Sequence, residues 1–139
     1  MQRALILGLM ICGGTIAALH AQPAATAPKI IEVEKVKYNL FVLRGGGGNT
    51  AVFVTAAGVT VVDAKNPGWG QPILDKIKEL TAKPVTTLIN THTHGDHVSG
   101  NVEFPASVEV IAQENTGANM ARMPIFKEHH NAGMPKRTF

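Results

Sequence analysis

An α+β domain is predicted over residues 31–139 by three features of the sequence. They are β-branched segments broken by glycine, one stretch with apolar residues at helical spacing, and a short apolar run ending in clustered histidines. The segments IIEVEKVKYNLFVLR, TAVFVT and GVTVVDA read as strands near 31–44, 50–55 and 58–63. Gly45 to Gly48 separate the first two and Ala56-Ala57-Gly58 the last two, which suits hairpins and an antiparallel beginning. The four glycines lack the Gly-Lys-Ser/Thr and the helix start of a phosphate loop. They lead through Asn49 and Thr50 into another strand, and so read as a flexible turn. In QPILDKIKELT, Ile73, Leu74, Ile77 and Leu80 share a helical face, with Pro72 in the first turn, which predicts a helix over 71–81. Pro84 closes it, and VTTLIN at 85–90 is a short buried strand. The order is strands, one crossover helix, then a strand that delivers the histidines.

The first residues are of another kind. MQRALILGLMICGGTIAALHAQ has a basic start at Arg3, an apolar run from Ala4 to Leu19 and small residues around Ala21. This is the shape of a signal peptide over 1–21, with cleavage near Ala21 or Ala24, followed by a Pro/Ala-rich linker over 22–30. A retained anchor is the alternative, weakened by Gly8, Gly13 and Gly14 in a run at the short limit for spanning. The expectation is a periplasmic or secreted chain with no stable membrane anchor after cleavage. Cys12 lies in the apolar run behind Ile11, where a lipoprotein site needs a small residue, so a cleaved chain holds no cysteine. Disulfides and thiolate ligands are thereby excluded.

With 139 residues, 45% of them apolar and 17% charged, the chain amounts to about one globular domain. Its net charge of +3 comes from 13 Lys and Arg against 10 Asp and Glu, scattered except for pairs such as Lys35/Lys37 and Lys136/Arg137. That is a solvated surface. No basic stripe suits nucleic acid, and the expected partner is a small-molecule substrate.

Residues 90–101, NTHTHGDHVSGN, carry the chemistry. After an extended strand, His92 and His94 at a spacing of two point to one side. Gly95 lets the chain bend, and Asp96 and His97 then face the same pocket. Two imidazoles on one metal, with a carboxylate and a third imidazole offered to a neighbouring one, suit zinc and accept iron or manganese. Trp69, in NPGWG, reads as a packing residue, with a place at a substrate entrance as the alternative.

THTHGDHVSGN, preceded by an apolar strand and by VTVVDA, resembles the His-x-His-x-Asp-His signature of the metallo-β-lactamase superfamily. The resemblance runs from about Ile31 to the C-terminus. It implies an αββα sandwich with a one- or two-metal site at the sheet edge, His92 and His94 binding the first metal and Asp96 and His97 the second. It also implies that Asp63 supports the metal loop from behind and that Asp96 orients a water for catalysis. By position, Gly45 to Gly48 correspond to the hairpin that overhangs the site in lactam-hydrolysing relatives, but here it is short and has no apolar tip.

The resemblance also exposes a departure. Family members add a histidine, a bridging aspartate and a last histidine well downstream, whereas 42 residues follow His97 here and only His129 and His130 offer themselves. These two read as exposed loop residues, and the chain reads as the N-terminal part of the domain. In the complete family a metal with an open position brings water to a pKa of about 7, and the expected activity is attack of metal-bound hydroxide on an ester, lactone, thioester or amide carbonyl. The alternatives are an iron-dependent oxidoreductase on the same fold and a non-catalytic metal-binding fragment. Half a sandwich would leave apolar sheet surface and an unpaired edge, so the isolated chain is expected to aggregate or need a partner.

Overall fold

The computed structural model describes residues 28–139; the predicted signal peptide and most of the predicted linker lie outside the described residues. Four strands open the fold, β1 Glu32–Lys37, β2 Leu40–Arg44, β3 Thr50–Val54 and β4 Val59–Val62, each antiparallel to the next. The stretch 31–44, expected as one strand, is therefore a hairpin. Tyr38 and Asn39 turn the chain, Lys37 pairs with Leu40, and the ladder shifts register between Lys35 and Lys37. Neither Gly nor Pro marks that break. Asn39 is its one turn-former, and its side-chain amide donates to the Val54 carbonyl at 3.2 Å.

After β4, helix α1 (Gly70–Leu80) crosses over to β5 (Val85–Asn90), which runs parallel to β4. The short helix α2 (Gly95–Val98) and a 3₁₀ turn over Ser99–Glu103 lead to β6 (Glu109–Ala112), parallel to β5. Helices α3 (Glu114–Met120) and α4 (Pro124–Glu128) follow, and β7 (Arg137–Thr138) pairs with β6. The result is one seven-stranded mixed sheet whose strands lie in chain order. That is an α+β fold holding one sheet of an αββα sandwich, with no second sheet among the described residues.

Side chains alternate between the faces of a sheet, and the two faces here differ. On one, the paired residues Phe41, Val52, Val61, Leu88 and Val110 form a row across β2 to β6, and the last four are buried. Ile73, Leu74 and Ile77 of α1 complete this core, and each such side chain contributes about 1.5–3 kcal/mol on burial. On the other face, Val42, Ala51, Val62 and Ile89 are only half-buried, and Phe53 is 42% exposed. A second cluster, Val98, Met120 and Phe126, ties α2 to α3 and α4. No helix of the described residues is long and apolar enough to cross a membrane.

Candidate metal centre

Strands β4 and β5 end side by side, and the site grows from their C-terminal ends. Past Val62 the backbone turns left-handed at Asp63 (φ 64°), a conformation that Asp tolerates better than most residues. Two backbone bonds fix that turn, from Asp63 N–H to the Ile89 carbonyl at 2.9 Å and from Ala64 N–H to the His97 carbonyl at 2.6 Å. The 3₁₀ turn comes close enough that a Cβ on Gly100 would sit 2.0 Å from the Ala64 carbonyl oxygen, so glycine is required there.

Asp63 is 3% exposed and its carboxylate is fully engaged with the histidine loop. One oxygen accepts from Thr91 N–H at 2.8 Å; the other accepts from the Thr91 hydroxyl at 2.6 Å and lies 2.7 Å from His97 Nδ1. A carboxylate can only accept, so Nδ1 of His97 carries a proton and, in the neutral ring, Nε2 keeps its lone pair. The same logic passes through Thr91. Its single hydroxyl proton goes to Asp63, so toward His92 Nδ1, 2.9 Å away, it can only accept. His92 is thereby also left with its lone pair on Nε2. One buried carboxylate sets the tautomer of two imidazoles, as outer carboxylates do for metal-ligating histidines.

The rings themselves are close. His92 and His97 have centroids 4.1 Å apart, and His92 and His94 meet edge to face at 4.7 Å. Asp63, His92 and His97 each place a ligand-type atom within 4.8 Å of the others, and His94 stands outside that group. Because Asp63 already receives three hydrogen bonds, its place is behind the rings. The Asp96 carboxylate lies 3.5 Å from His97 Nε2 and is 45% exposed. His129 and His130 are exposed; His129 caps the end of α4 and His130 follows it with a left-handed backbone (φ 52°). Neither belongs to the Asp63, His92 and His97 group. The donor set, with His92 close to both His94 and His97 and the open Asp96 carboxylate beside His97, fits a borderline divalent cation.

Two more neighbours flank the site, the glycine loop that the resemblance sets over it and one residue not expected from sequence. The Gly45–Gly48 loop lies directly on the motif. A Cβ on Gly48 would sit 2.5 Å from His97 Cε1, and one on Gly46 would enter the Trp69 ring. Trp69 is thus a packing residue beneath that loop, with the Lys29 ammonium 5.8 Å over its ring. The second neighbour is Lys65, wholly buried, whose ammonium burial pushes down from 10.5 to about 8. Thr91 could have been found from its place inside the motif. Lys65 has no such signal, since a lysine after a strand ordinarily reads as surface. A cavity of about 510 Å³ lined by Tyr38, Phe41 and Phe53 lies at the opposite end of the sheet and is not part of the site.

Comparison with known proteins gives the family of the chain. The family model of the metallo-beta-lactamase superfamily matches residues 43–113, half of the chain and all of the histidine motif, and the chain belongs to that superfamily. It is similar to a hydroxyacylglutathione hydrolase of Acaryochloris marina, 36% identical over 93 residues that cover 64% of this chain and 32% of the relative. A second hydroxyacylglutathione hydrolase, of Synechococcus sp., is 38% identical over 68 residues, 49% of this chain and 25% of the relative. The chain thus spans a third or less of the length of these curated relatives. Among solved structures, a metallo-beta-lactamase from Pontibacter korlensis matches with TM-score 0.62 at 21% identity, over 79% of this chain and 53% of that one. One from Hirschia baltica matches with TM-score 0.63 at 19% identity, over 80% and 52%. These two likenesses are of fold.

Proposed function

We propose that this chain is the metal-binding part of an exported, zinc-dependent hydrolase that cleaves an ester, lactone, thioester or amide carbonyl. The observation that carries the reading is the convergence of His92, His94 and His97, with the Nε2 lone pairs of His92 and His97 fixed by the Thr91–Asp63 network. Within the proposal, His92 and His94 hold one cation, and His97 with Asp96 a second. Iron and manganese are accepted by the same donor types, and zinc suits an imidazole-rich set. When bound, the cation supplies Lewis acidity toward a carbonyl oxygen and makes water nucleophilic near neutral pH. Asp63 keeps two rings oriented and in one tautomer throughout. Asp96, open to solvent beside His97 Nε2, accepts a hydrogen bond from the attacking water and holds it on one side of the carbonyl. Export rests on the basic-then-apolar N-terminal segment, and the relatives' name makes an acylglutathione thioester the first substrate to try.

The test is zinc uptake and thioester cleavage by the full chain beside its His92→Ala/His94→Ala double variant. Stoichiometric zinc in the parent and its loss from the variant is the expected result. A chain that retains no transition metal, or a double variant with unchanged activity, would end the proposal. Iron with oxygen consumption and no hydrolysis would point to the oxidoreductase chemistry.

A further inference from the structure

Lys65 is the least expected residue near the site. It lies two positions past Asp63 with a left-handed backbone (φ 65°), a region that favours glycine and costs a β-carbon-bearing residue about 1 kcal/mol or more. Its side chain is fully buried, although lysine is among the residues least often found so. Among the described residues no carboxylate pairs with it. The ammonium donates instead to two backbone carbonyls, those of Leu43 at 2.9 Å and Gly48 at 2.6 Å. Those two carbonyls lie at the two ends of the glycine loop. Lys65 therefore closes the loop from beneath, where a surface lysine would reach for water.

What the loop then touches is the metal motif. Gly48 N–H donates to the Asp96 carbonyl at 3.1 Å, and the Gly48 backbone abuts the Cε1–Nε2 edge of the His97 ring. Gly47 stands against Asp96 Cβ, close enough that an added Cβ would come within 2.9 Å. A second strut holds the same loop, since Asn66 N–H donates to the Gly46 carbonyl at 3.2 Å. The backbone of Lys65 belongs to the same unit, its carbonyl accepting from Gly100 N–H at 3.1 Å. Both ends of the arrangement are thus tied to the histidine segment, one through the main chain and the other through the lysine side chain and the loop.

We propose that Lys65 is a positioning residue of the metal centre: by pinning the carbonyls of Leu43 and Gly48 it seats the glycine loop on His97 and Asp96 and so fixes the pair that would hold the second cation. The glycines are then a close-fitting backbone wall with no room for a side chain at Gly46 or Gly48. This inference rests on the metal-centre reading above and assigns Lys65 no contact with substrate.

The experiment is a Co²⁺ titration of the full chain, read by visible absorption, together with hydrogen exchange at the Gly48 amide. Wild type is compared with Lys65→Met, which keeps the length and removes the donors, with Lys65→Gly, which also relieves the left-handed backbone, and with Gly48→Ala, which wedges the loop with Lys65 intact. Lys65→Met is expected to fold, bind Co²⁺ about tenfold more weakly with shifted absorption bands, and exchange the Gly48 amide faster. Gly48→Ala should reproduce the affinity loss. Wild-type affinity, spectrum and exchange in Lys65→Met would overturn the proposal. So would failure of both Lys65 variants to fold, because the lysine would then be holding the domain and not the loop. Absence of Co²⁺ binding by wild type would defeat the metal reading itself, while the Gly48 exchange rate would still decide the role of Lys65.

Discussion

Replacing Asp63 by asparagine changes one atom and tests how the site is built. The carboxylate accepts three hydrogen bonds, from Thr91 N–H, the Thr91 hydroxyl and His97 Nδ1–H. An amide offers only one accepting oxygen. If that oxygen stays on Thr91 N–H, the new NH₂ group faces the threonine hydroxyl and His97 Nδ1. Both must then accept, the hydroxyl proton turns to His92 Nδ1, and the protons of the two rings move to Nε2, where the cation should bind. If the amide flips, the rings keep their tautomers but NH₂ meets Thr91 N–H, leaving a buried donor unpaired at a cost of about 1–3 kcal/mol. The first outcome weakens cation binding by about 10–100-fold, the usual loss when an outer partner of a ligating histidine is removed. Zinc affinity by chelator competition, urea unfolding of the metal-free chain and ¹⁵N shifts of the imidazoles distinguish the two. An Asp63→Asn chain within about twofold of parental zinc affinity and within about 0.5 kcal/mol of its stability would show that the carboxylate does not set the rings.

Other consequences can be checked with simpler measurements. Asn90 and Asn101 are buried and exchange side-chain hydrogen bonds at 2.7 and 3.2 Å, so Asn101→Ala should cost about 1–3 kcal/mol in urea unfolding by stranding the Asn90 amide. Burial lowers the Lys65 ammonium from 10.5 to about 8, so between those values the unfolded chain binds more protons than the folded one and stability rises with pH. Thermal melts of the parent relative to Lys65→Met should show the parent gaining through that window, by on the order of 3 kcal/mol if the whole shift is expressed, and a flat difference would contradict it. Phe53, 42% exposed on the half-covered sheet face, should promote self-association, and Phe53→Lys should shift light scattering toward the monomer with little change in melting temperature.

Most of the path to the site can be read along the chain. The glycine breaks, the Ile73–Leu74–Ile77–Leu80 stripe and the apolar run before Asn90 are local signals, and they predict β3, β4, α1 and β5 because each reports how one short segment partitions between water and core. The hairpin inside 31–44 escaped because its turn is Tyr38-Asn39, with apolar residues near it on both strands and no glycine to mark it. The histidine motif is legible for the same local reason: four metal-ligand side chains fall within six positions.

Sequence by itself thus determined the strand, helix, strand order, the superfamily signature and the identity of the clustered donors, all of which depend on spacing of a few residues. Only the tertiary structure decided that Asp63 and Thr91 fix two ring tautomers across 28 positions of chain, and that a buried lysine bonds the carbonyl of Gly48, whose backbone abuts His97. Those relations join segments that meet only when β4 and β5 lie side by side. A hydrogen bond depends on angstrom-scale placement of both partners, and the one-dimensional pattern does not contain that placement.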